Sequence, residues 1–522
     1  MTEKDVAGIG KPEAALGGVI RAAVLCMLAL SAVAAPAVAG VRFIDRSADL
    51  PVQHIYGGGW EHFVGGGVAI FDCNSDGFAD LFVAGGENPA TLLINRSLAG
   101  GAIRFGLGDL TRLTSVTGAY PLDVDGDGLL DLAVLRAGAN VMLRGRGECT
   151  FEDATKTWGI DPGQGWTTAF SATWEAGADR PVLVFGNYVD RSNPKGPFGT
   201  CDTNVLMRPN AGGYDATTLA PGFCALSMLF SDWKRQGRAD LRISNDRHYY
   251  VRGGSEQMYD MAGGRFLGPD DGWPDLFLWG MGIASRDITG NGLSEVMLTS
   301  MGDQLLQFAL PGGVYENVPY SFGSYVQRPS TGDDGRPSTG WHAEFGDVDN
   351  DGWSDLFVAK GNVDQMPGNA AKDPNNLLIR TPDGPFVDRG AEAGVASPHR
   401  SRGAGLYDLN LDGRLDLVVV NRRAPLEIHE NVTDPVGGWL QVEVAAGPPN
   451  IHGVGGFLEL RLPDGRVESR EITVGGGHAS GQAGLHHFGL GTVRGAAVRL
   501  ILNGAPGPWQ EVEANSRITL SR

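Results

Sequence analysis

The feature of the sequence that most constrains the fold is an acidic loop that recurs along the chain. It has the form D-x-[DNT]-x-[DN]-G-x-x-[DE]-apolar. The intact copies are DCNSDGFADL, DVDGDGLLDL, DITGNGLSEV, DVDNDGWSDL and DLNLDGRLDL, which start at residues 72, 123, 287, 347 and 408. A degenerate copy, DWKRQGRADL, starts at Asp232, and a weaker one starts at Ala172. These starts recur about every 50 to 60 residues, so the sequence predicts seven copies of one structural unit.

Each intact loop lies between two short segments with β-strand character. The preceding segment holds small residues, as in GGGVAIF, GMGIAS and RGAGLY, and the following segment is apolar, as in LFVAGG and LVVVN. A third strand signal follows in several units, as in ATLLINRS and NNLLIRT. Three to four short strands per unit, without helical periodicity, predict an all-β chain built as a seven-bladed β-propeller. The main alternative is a parallel β-helix, although its repeats are usually much shorter.

The character of the sequence changes at about residue 436. The acidic loops stop, and WLQVEVAAG, GGFLELRLPDG and AAVRLILNG alternate in the manner of sandwich strands. We therefore predict a propeller over residues 40–435 and a small β-sandwich-like domain over residues 436–522.

The residue types in the loop are those that bind calcium. Ca²⁺ takes 6 to 8 oxygen ligands, and side chains at positions 1, 3, 5 and 9 supply them, while a glycine at position 6 permits the turn. Five intact loops predict about five Ca²⁺ sites. The predicted ligands are Asp72, Asn74, Asp76, Asp80, Asp123, Asp125, Asp127, Asp131, Asp287, Thr289, Asn291, Glu295, Asp347, Asp349, Asp351, Asp355, Asp408, Asn410, Asp412 and Asp416.

Two other interpretations of the loop compete with a calcium site in a β-hairpin. A helix-loop-helix calcium site needs a glutamate at position 12. That position is apolar in every copy and falls in the following strand, at Val83, Val134, Leu298, Val358 and Val419. Acidic turns without metal are the second interpretation, but five recurrences of the same ligand pattern favour the metal.

The degenerate units invite a separate hypothesis. In the fourth unit Lys234 stands between Asp232 and Asp240, and in the third unit Arg180 stands at position 9. Either cation could take the place of the metal, and a plain loop without metal or ion pair is the alternative.

The first 39 residues have the layout of a signal peptide. Lys4, Lys11 and Arg21 precede the apolar run AAVLCMLALSAVAA, and APAVAG predicts cleavage after Ala39. A membrane anchor is the alternative, but the run has about 14 residues where a span needs about 20. We therefore predict a secreted or periplasmic protein without a stable membrane span. A net charge of −19 and the lack of a basic stripe argue against nucleic acid as a partner.

Four cysteines remain after the predicted cleavage, an even number that suits an oxidising compartment. Cys201 with Cys224 would close a short Gly/Pro-rich segment and is the favoured disulfide, which leaves Cys73 with Cys149. Buried reduced thiols are the alternative. Cys73, at position 2 of the first loop, is expected to point away from the calcium ligands.

The loops and their small-residue strands resemble the FG-GAP or VCBS repeats of integrin α-subunit propellers. The tail is similar to the ASPIC/UnbV module through HGVGGFLELRL, REITVGGGHASGQAGLHHFGLG and VRLILNG. Together they resemble the cartilage acidic protein type (CRTAC1-like) of secreted protein over nearly all of the chain after the predicted cleavage. The resemblance implies a secreted propeller with calcium in the blade hairpins and implies little about catalysis.

No set of residues assembles a nucleophile, a base and an orienting group, and we predict no catalytic residue. His54, His62 and His342 could line the propeller axis, while His486 and His487 point to opposite faces of one strand. The polar and aromatic run SNDRHYY, at 244–250, has no partner in sequence.

Two functions remain. The favoured one is an extracellular binding or adhesion module for a protein or glycan ligand, and the other is an enzyme that uses the axial channel on a carbohydrate or polyketide-like substrate.

Overall fold

The computed structural model describes residues 40–193, 199–246, 254–329, 335–364, 366–382, 384–434 and 436–522. The predicted signal peptide, and the end of the SNDRHYY run, lie outside these residues. One compact unit extends from Ala39 to Arg522. The described part of this unit is nearly all β, as predicted, and its one α-helix is a single turn, Gly390–Ala393. Its 3-10 turns are Ser47–Asp49, Trp60–His62, Pro269–Asp271 and Tyr320–Phe322.

Seven sheets, each with four strands from residues 43–431, follow one another along the described chain, and we call them blades 1 to 7. Each pairs its strands antiparallel in simple succession, except that the first strand of the chain, β1 (Phe43–Asp45), belongs to blade 7. Blade 1 holds β2 (Val68–Phe71), β3 (Asp80–Val83), β4 (Thr91–Asn95) and β5 (Phe105–Leu107); blade 2 holds β6 (Val116–Leu122), β7 (Asp131–Arg136), β8 (Val141–Gly145) and β9 (Phe151–Asp153); blade 3 holds β10 (Thr167–Thr173), β11 (Val182–Asn187), β12 (Asn204–Asn210) and β13 (Gly213–Leu219); blade 4 holds β14 (Ala225–Ser231), β15 (Asp240–Asn245), β16 (Gln257–Asp260) and β17 (Arg265–Phe266). Blade 5 holds β18 (Gly280–Arg286), β19 (Glu295–Ser300), β20 (Leu305–Leu310) and β21 (Val314–Asn317); blade 6 holds β22 (Gly340–Gly346), β23 (Asp355–Lys360), β24 (Asn376–Arg380) and β25 (Phe386–Asp388); blade 7 adds β26 (Arg400–Tyr407), β27 (Asp416–Arg422) and β28 (Glu427–Asn431).

The first strands of consecutive blades contact one another around a closed ring. The contacts run from β2 to β6, β10, β14, β18, β22 and β26, and β26 contacts β2 again. The first strand of the chain, β1, completes the last blade. It pairs antiparallel with β28, and Phe43 lies opposite Asn431. The described chain is therefore a β-propeller, and each predicted loop joins the first two strands of a blade.

The remaining strands form two further sheets, apart from a two-residue strand that extends blade 1. One sheet has the order β33-β29-β37, and the other has the order β31-β30-β34-β35, with β36 also paired to β34. Leu440 and Phe488 of the first sheet share a core with Leu458 and Val498 of the second, as a sandwich requires. The strands are β29 (Gly438–Ala445), β30 (Phe457–Arg461), β31 (Val467–Glu471), β32 (Gly481–Gln482), β33 (His486–Gly491), β34 (Gly495–Leu502), β35 (Ala505–Pro506), β36 (Gln510–Glu513) and β37 (Ser516–Ser521). The division of the chain at 435/436 stays a prediction, because the compact unit includes both parts.

The glycine-rich stretch of the tail runs along the propeller axis. We call residues 474–482 the axial segment. Its residues form bridges to the first strands of blades 2, 3, 4 and 5, and β32 adds a parallel strand to β2 of blade 1. Backbone amides of Ala119 and Ala172 donate to carbonyls of the segment at 3.2 and 3.1 Å. The channel on which the enzyme hypothesis depends therefore contains a part of the protein's own chain.

Two disulfides connect neighbouring blades, and the pairing favoured from the sequence is confirmed. Cys73 in the first loop bonds Cys149, which lies between β8 and β9 of blade 2. Cys201 before β12 bonds Cys224 before β14, and so joins blades 3 and 4.

Candidate metal centres in the blade hairpins

The five intact loops share one backbone arrangement. In each loop the carboxylate at position 1 accepts the backbone N–H of the glycine at position 6, as Asp72 Oδ2 does from Gly77 at 2.7 Å. That glycine has a φ between +82° and +91° in all five loops. A residue with a side chain rarely adopts this conformation. The predicted need for glycine at position 6 is therefore met at every intact copy.

Carboxylates converge most closely in the second and sixth loops. In each of these loops the side chains at positions 1, 3 and 5 bring one oxygen apiece within 4.8 Å of the others. In the sixth loop burial, followed by the charge of Asp349, raises the pKa of Asp351 to about 6. Burial and the neighbouring carboxylates raise the pKa of Asp347 well above its usual range. The two groups are Asp123, Asp125 and Asp127, and Asp347, Asp349 and Asp351.

Two buried oxygens at position 3 test whether these loops suit a cation. Oδ1 of Asp125 in the second loop and Oδ1 of Asn410 in the seventh loop have no hydrogen-bond partner within the described chain. A buried acceptor left unpaired costs about 1–3 kcal/mol. Hard oxygen donors of this kind are the ligands that Ca²⁺ prefers. The donor set therefore fits calcium, with Asp125 and Asn410 among the residues that would hold it.

The second loop differs from the sixth because Arg144 of β8 forms ion pairs with its carboxylates. Its guanidinium lies 2.7 Å from Asp125 Oδ2 and 2.9 Å from Asp127 Oδ2. The sixth loop has no ion pair within 4.0 Å among the described residues. Its three converging carboxylates thus lack the paired guanidinium that Arg144 provides in the second loop.

The acid at position 9 has a role that the sequence did not reveal. Each of its two oxygens accepts a backbone N–H, one from position 2 of the same loop and one at the end of, or just after, the third strand of the blade. Asp80 accepts from Cys73 at 2.9 Å and from Asn95 at 2.8 Å. The same pair of bonds recurs at Asp131, Glu295, Asp355 and Asp416. The position 9 acid therefore stabilises the hairpin by joining the loop to the third strand. Its part in metal binding stays a prediction.

Burial raises the pKa values of these position 9 carboxyl groups. It raises the pKa of Asp80 to about 7 and the pKa of Asp131 to about 8, and the hydrogen bonds from backbone N–H groups oppose the shift. It also raises the pKa of Asp416 well above its usual range. A carboxylate can accept about four hydrogen bonds or ligands, so these groups keep lone pairs for a cation.

The first and fifth loops are internally bonded. In the first loop Nδ2 of Asn74 donates to Asp76 at 2.9 Å. In the fifth loop the hydroxyl of Thr289 donates to Glu295 at 3.1 Å, and Nδ2 of Asn291 donates to a backbone carbonyl. With only two carboxylates, the fifth loop is the weakest of the five candidates.

Lys234 and Cys73 lie elsewhere than the sequence predicted. The hypothesis for Lys234 is wrong, because its ammonium lies 4.3 Å from the ring centroid of Trp233, and the cation at Asp240 is Arg238, at 3.3 Å. The expectation for Cys73 is also wrong, because its sulfur lies 2.9 Å from Asp80 Oδ2. This site is not a thiolate metal centre, since the sulfur belongs to a disulfide. The role of Arg180 stays a prediction.

The predicted histidines fall into separate places. His342 lies beside the axial segment, where its Nδ1 accepts the backbone N–H of His478 at 3.1 Å. His54 is buried against Ala84 and Thr91, and His62 is buried near Glu87 at 4.0 Å. Of the three, His342 borders the axis, where its Nε2 lies 3.4 Å from Oε2 of Glu344, and the absence of a catalytic residue stays a prediction.

Several loops also contact the tail. Gln441 Nε2 donates to Asp408 at 2.6 Å, and Nε2 of His487 lies 2.6 Å from Oδ1 of Asn350 in the sixth loop. The backbone N–H of Ser469 donates to Asp287 at 3.3 Å. Arg235 of the fourth loop adds a contact to Glu459 at 2.7 Å, so the hairpin ends of blades 4 to 7 all contact the tail.

A family model described as an FG-GAP-like repeat matches residues 72–134 and 347–419, which contain the first, second, sixth and seventh loops. The fold and these loops define a β-propeller protein with FG-GAP-like repeats. Among curated proteins, the chain is similar to cartilage acidic protein 1 of Homo sapiens, at 44% identity over 57 residues, and to its Mus musculus counterpart, at 42%. The matched segment covers 11% of this chain and 9% of those relatives. The predicted likeness to that type of protein is thus confirmed for one segment, and the ASPIC/UnbV assignment of the tail stays a prediction.

Solved structures similar in fold have low sequence identity. BBS1N in complex with ARL6DN has a TM-score of 0.43 at 11% identity, covering 74% of this chain and 96% of that chain. An Agrocybe aegerita lectin that recognises non-reducing terminal N-acetylglucosamine has a TM-score of 0.32 at 15% identity, covering 68% and 92%. Trypanosoma rangeli sialidase with sialic acid has a TM-score of 0.35 at 11% identity, covering 68% and 59%. The propeller assignment rests on the sheets described above.

Proposed function

We propose that this protein is a secreted calcium-binding β-propeller that acts as an extracellular or periplasmic binding module for a protein or glycan ligand. Calcium occupies about five blade hairpins and stabilises them. The observation that carries the proposal is the sixth loop, where Asp347, Asp349 and Asp351 converge within 4.8 Å without a cationic side chain in ion-pair distance.

The electrostatics of that loop call for a cation. Two unit charges 4.8 Å apart repel by roughly 3 kcal/mol at an effective dielectric constant of about 20. Ionisation of all three carboxylates at once is therefore unfavourable without metal, which agrees with the raised pKa values of Asp347, Asp349 and Asp351. A divalent oxygen-seeking ion removes the repulsion, and Ca²⁺ tolerates the irregular geometry of such a loop better than Mg²⁺ does.

Export and ligand binding have separate support. Two disulfides suit an oxidising compartment, and none of the described helices is long and apolar enough to cross a membrane. At the end of the propeller opposite the hairpins, half-exposed Trp60 packs on Trp166 with ring centroids 4.9 Å apart. Trp166, Phe63 and Tyr188 are buried and pack behind Trp60. Aromatic side chains are enriched where proteins bind ligands, so the exposed side of Trp60 marks the candidate ligand face.

Calcium binding by the purified protein tests the proposal. After removal of metal with a chelator, added Ca²⁺ should raise the thermal midpoint, because a ligand at 100 times its Kd stabilises the folded state by about 2.7 kcal/mol per site. Asp349→Ala should lower the number of ions bound per chain by one. Asp215→Ala, at an exposed position of β13, is the matched control and should leave the number unchanged.

An unchanged melting curve across the calcium titration would contradict the metal sites. For the ligand, the calcium-loaded protein is applied to a glycan array and used as bait in the secreted fraction. Failure to retain any glycan or protein in both assays would contradict the binding function.

A further inference from the structure

A polar cavity lies on the propeller axis between the axial segment and the first strands of blades 5, 6 and 7. Its volume is about 130 Å³. One water needs only about 10–15 Å³, so the cavity can hold a small organic molecule. Six ionisable or polar side chains dominate its wall, namely Arg286, Glu344, Arg470, Glu471, Gln482 and His486.

The acids of this wall are already paired with donors of the protein. Glu344 accepts the side-chain amide of Gln482 at 2.6 Å and the backbone N–H of Leu406 at 3.0 Å. Glu471 accepts the hydroxyl of Ser231 and the backbone N–H of Asp232, both at 2.6 Å. Their negative charge is therefore held by fixed donors around the cavity.

One of the two arginines is also paired. Arg286 lies 3.5 Å from Glu468 and donates to the backbone carbonyl of Phe345 at 3.1 Å. It needs no further partner to satisfy its charge.

Arg470 differs from Arg286. Its one hydrogen bond goes to the backbone carbonyl of His487 at 3.3 Å, and no acid of the described chain lies within 4.0 Å of its guanidinium. A guanidinium carries five N–H donors, so most of them remain available to the cavity. Burial, followed by the charge of Arg286, lowers the pKa of Arg470 to about 9, which leaves it charged at neutral pH.

Two further polar atoms on this wall lack partners. Oε1 of Gln482 and Nδ1 of His486 are buried without a hydrogen bond within the described chain. An unpaired buried polar atom costs about 1–3 kcal/mol, and both atoms belong to residues that line the cavity. These two atoms are closed off from the cavity itself, so the unsatisfied group that the wall offers to a ligand is the guanidinium of Arg470.

We propose that the axial cavity is a binding site for a small monocarboxylate, with the carboxylate held by the fork of Arg470. Two parallel N–H groups of a guanidinium match the two oxygens of a carboxylate. The ligand is a monoanion, because the carboxylate of Glu344 borders the same space and repels a second negative charge.

Calorimetric titration of the full, calcium-loaded chain with glycolate tests this site. We expect saturable binding of one glycolate per chain. Glycolamide, which has the same shape without the charge, should bind at least tenfold more weakly, and inorganic phosphate should not compete. Arg470→Gln should abolish the binding. Arg461→Gln, on the neighbouring strand, should leave it intact, because the Arg461 guanidinium contacts exposed Glu511 at 3.8 Å and the Trp509 ring at 4.3 Å and does not line the cavity.

The proposal is overturned if the wild-type chain takes up no glycolate, if glycolamide binds equally well, or if Arg470→Gln keeps the wild-type affinity. A second measurement does not depend on that variant folding. In crystals of the wild-type protein grown with glycolate, the ligand should lie within hydrogen-bond distance of the Arg470 guanidinium. Only water at that position would refute the proposal.

Discussion

Asp80 and Asp246 are both buried carboxylates, yet their surroundings give them different properties. Asp80 accepts backbone N–H groups on both oxygens. Asp246 accepts the hydroxyl of Tyr188 at 2.5 Å on one oxygen, and its other oxygen is buried without a hydrogen bond to the described residues. The first side chain stabilises a hairpin, whereas the second gains little from its charge.

Replacing Asp246 by asparagine should change how stability depends on pH. Burial raises the pKa of Asp246 to about 7, against about 3.9 in an unfolded chain. A raised acid pKa stabilises the fold below the unfolded value, and that stabilisation is lost as the pH rises through 7. With saturating calcium, the wild type should therefore lose on the order of 1–3 kcal/mol more than Asp246→Asn between pH 4 and pH 8.

Urea unfolding at several pH values measures this difference. Asp215→Asn, at an exposed site, is the control and should follow the wild-type curve. Parallel curves for wild type and Asp246→Asn would show that Asp246 does not titrate between the two states.

At this scale the sequence predicts the loop well and the contacts of its position 9 acid poorly. Positions 1, 3, 5 and 6 are local, so their spacing alone identifies the turn and its glycine. The second partner of the position 9 acid comes from the far side of the blade, as Asn95 does for Asp80. That contact depends on where the third strand returns, which no local pattern encodes.

At the scale of elements, the first strands of the blades need residues with small side chains or none, because the axial segment packs directly against their backbone. A Cβ added at Gly67 would lie 1.7 Å from the carbonyl oxygen of Ala479, and one added at Gly118 would lie 2.3 Å from the same atom. The small residues before the loops were visible in the sequence, as in GGGVAIF. Their partner was not visible, because it lies about 400 residues further along the chain.

Gly67→Ala should consequently destabilise the contact between blade 1 and the axial segment. The clash involves backbone on both sides, so the segment or the strand must move, and overpacking of this kind costs about 1–3 kcal/mol. Gly268→Ala is the control, since nothing lies within 4 Å of its added Cβ. Urea unfolding gives the loss of stability, and limited proteolysis should cut the tail of Gly67→Ala faster. Equal stability and equal cleavage in both variants would rule out close packing at Gly67.

At the scale of the whole molecule, the propeller and the tail are joined by more than a linker. The sequence predicted the change of character at about residue 436, because strand alternation replaces the acidic loops there. It did not predict that residues 474–482 occupy the axis, since glycine-rich sequence carries no hydrophobic pattern to indicate its partner. Contacts such as Gln441 with Asp408 also connect the tail to the predicted calcium loops.

The calcium-loaded chain should therefore unfold in a single calorimetric transition. The axial segment bonds five blades, so the tail cannot leave without breaking its bridges to all five. The calorimetric and van't Hoff enthalpies should agree, as a two-state transition requires. Two separated transitions would mean that the tail and the propeller are independent. As a control, a protease site inserted between Asn431 and Gly438 should yield fragments that still co-elute.

The pairing of β1 with β28 has a consequence for biosynthesis. Phe43 meets Asn431 in the last blade, so its strand partner is absent until nearly the whole propeller has been synthesised. In the export that we propose, the N-terminal part crosses first, and the early blades then have neither a closed ring nor the axial segment in place. Completion of the fold therefore waits for the last fifth of the polypeptide, and a protein truncated before that point would expose open sheet edges to the quality-control proteases of its compartment.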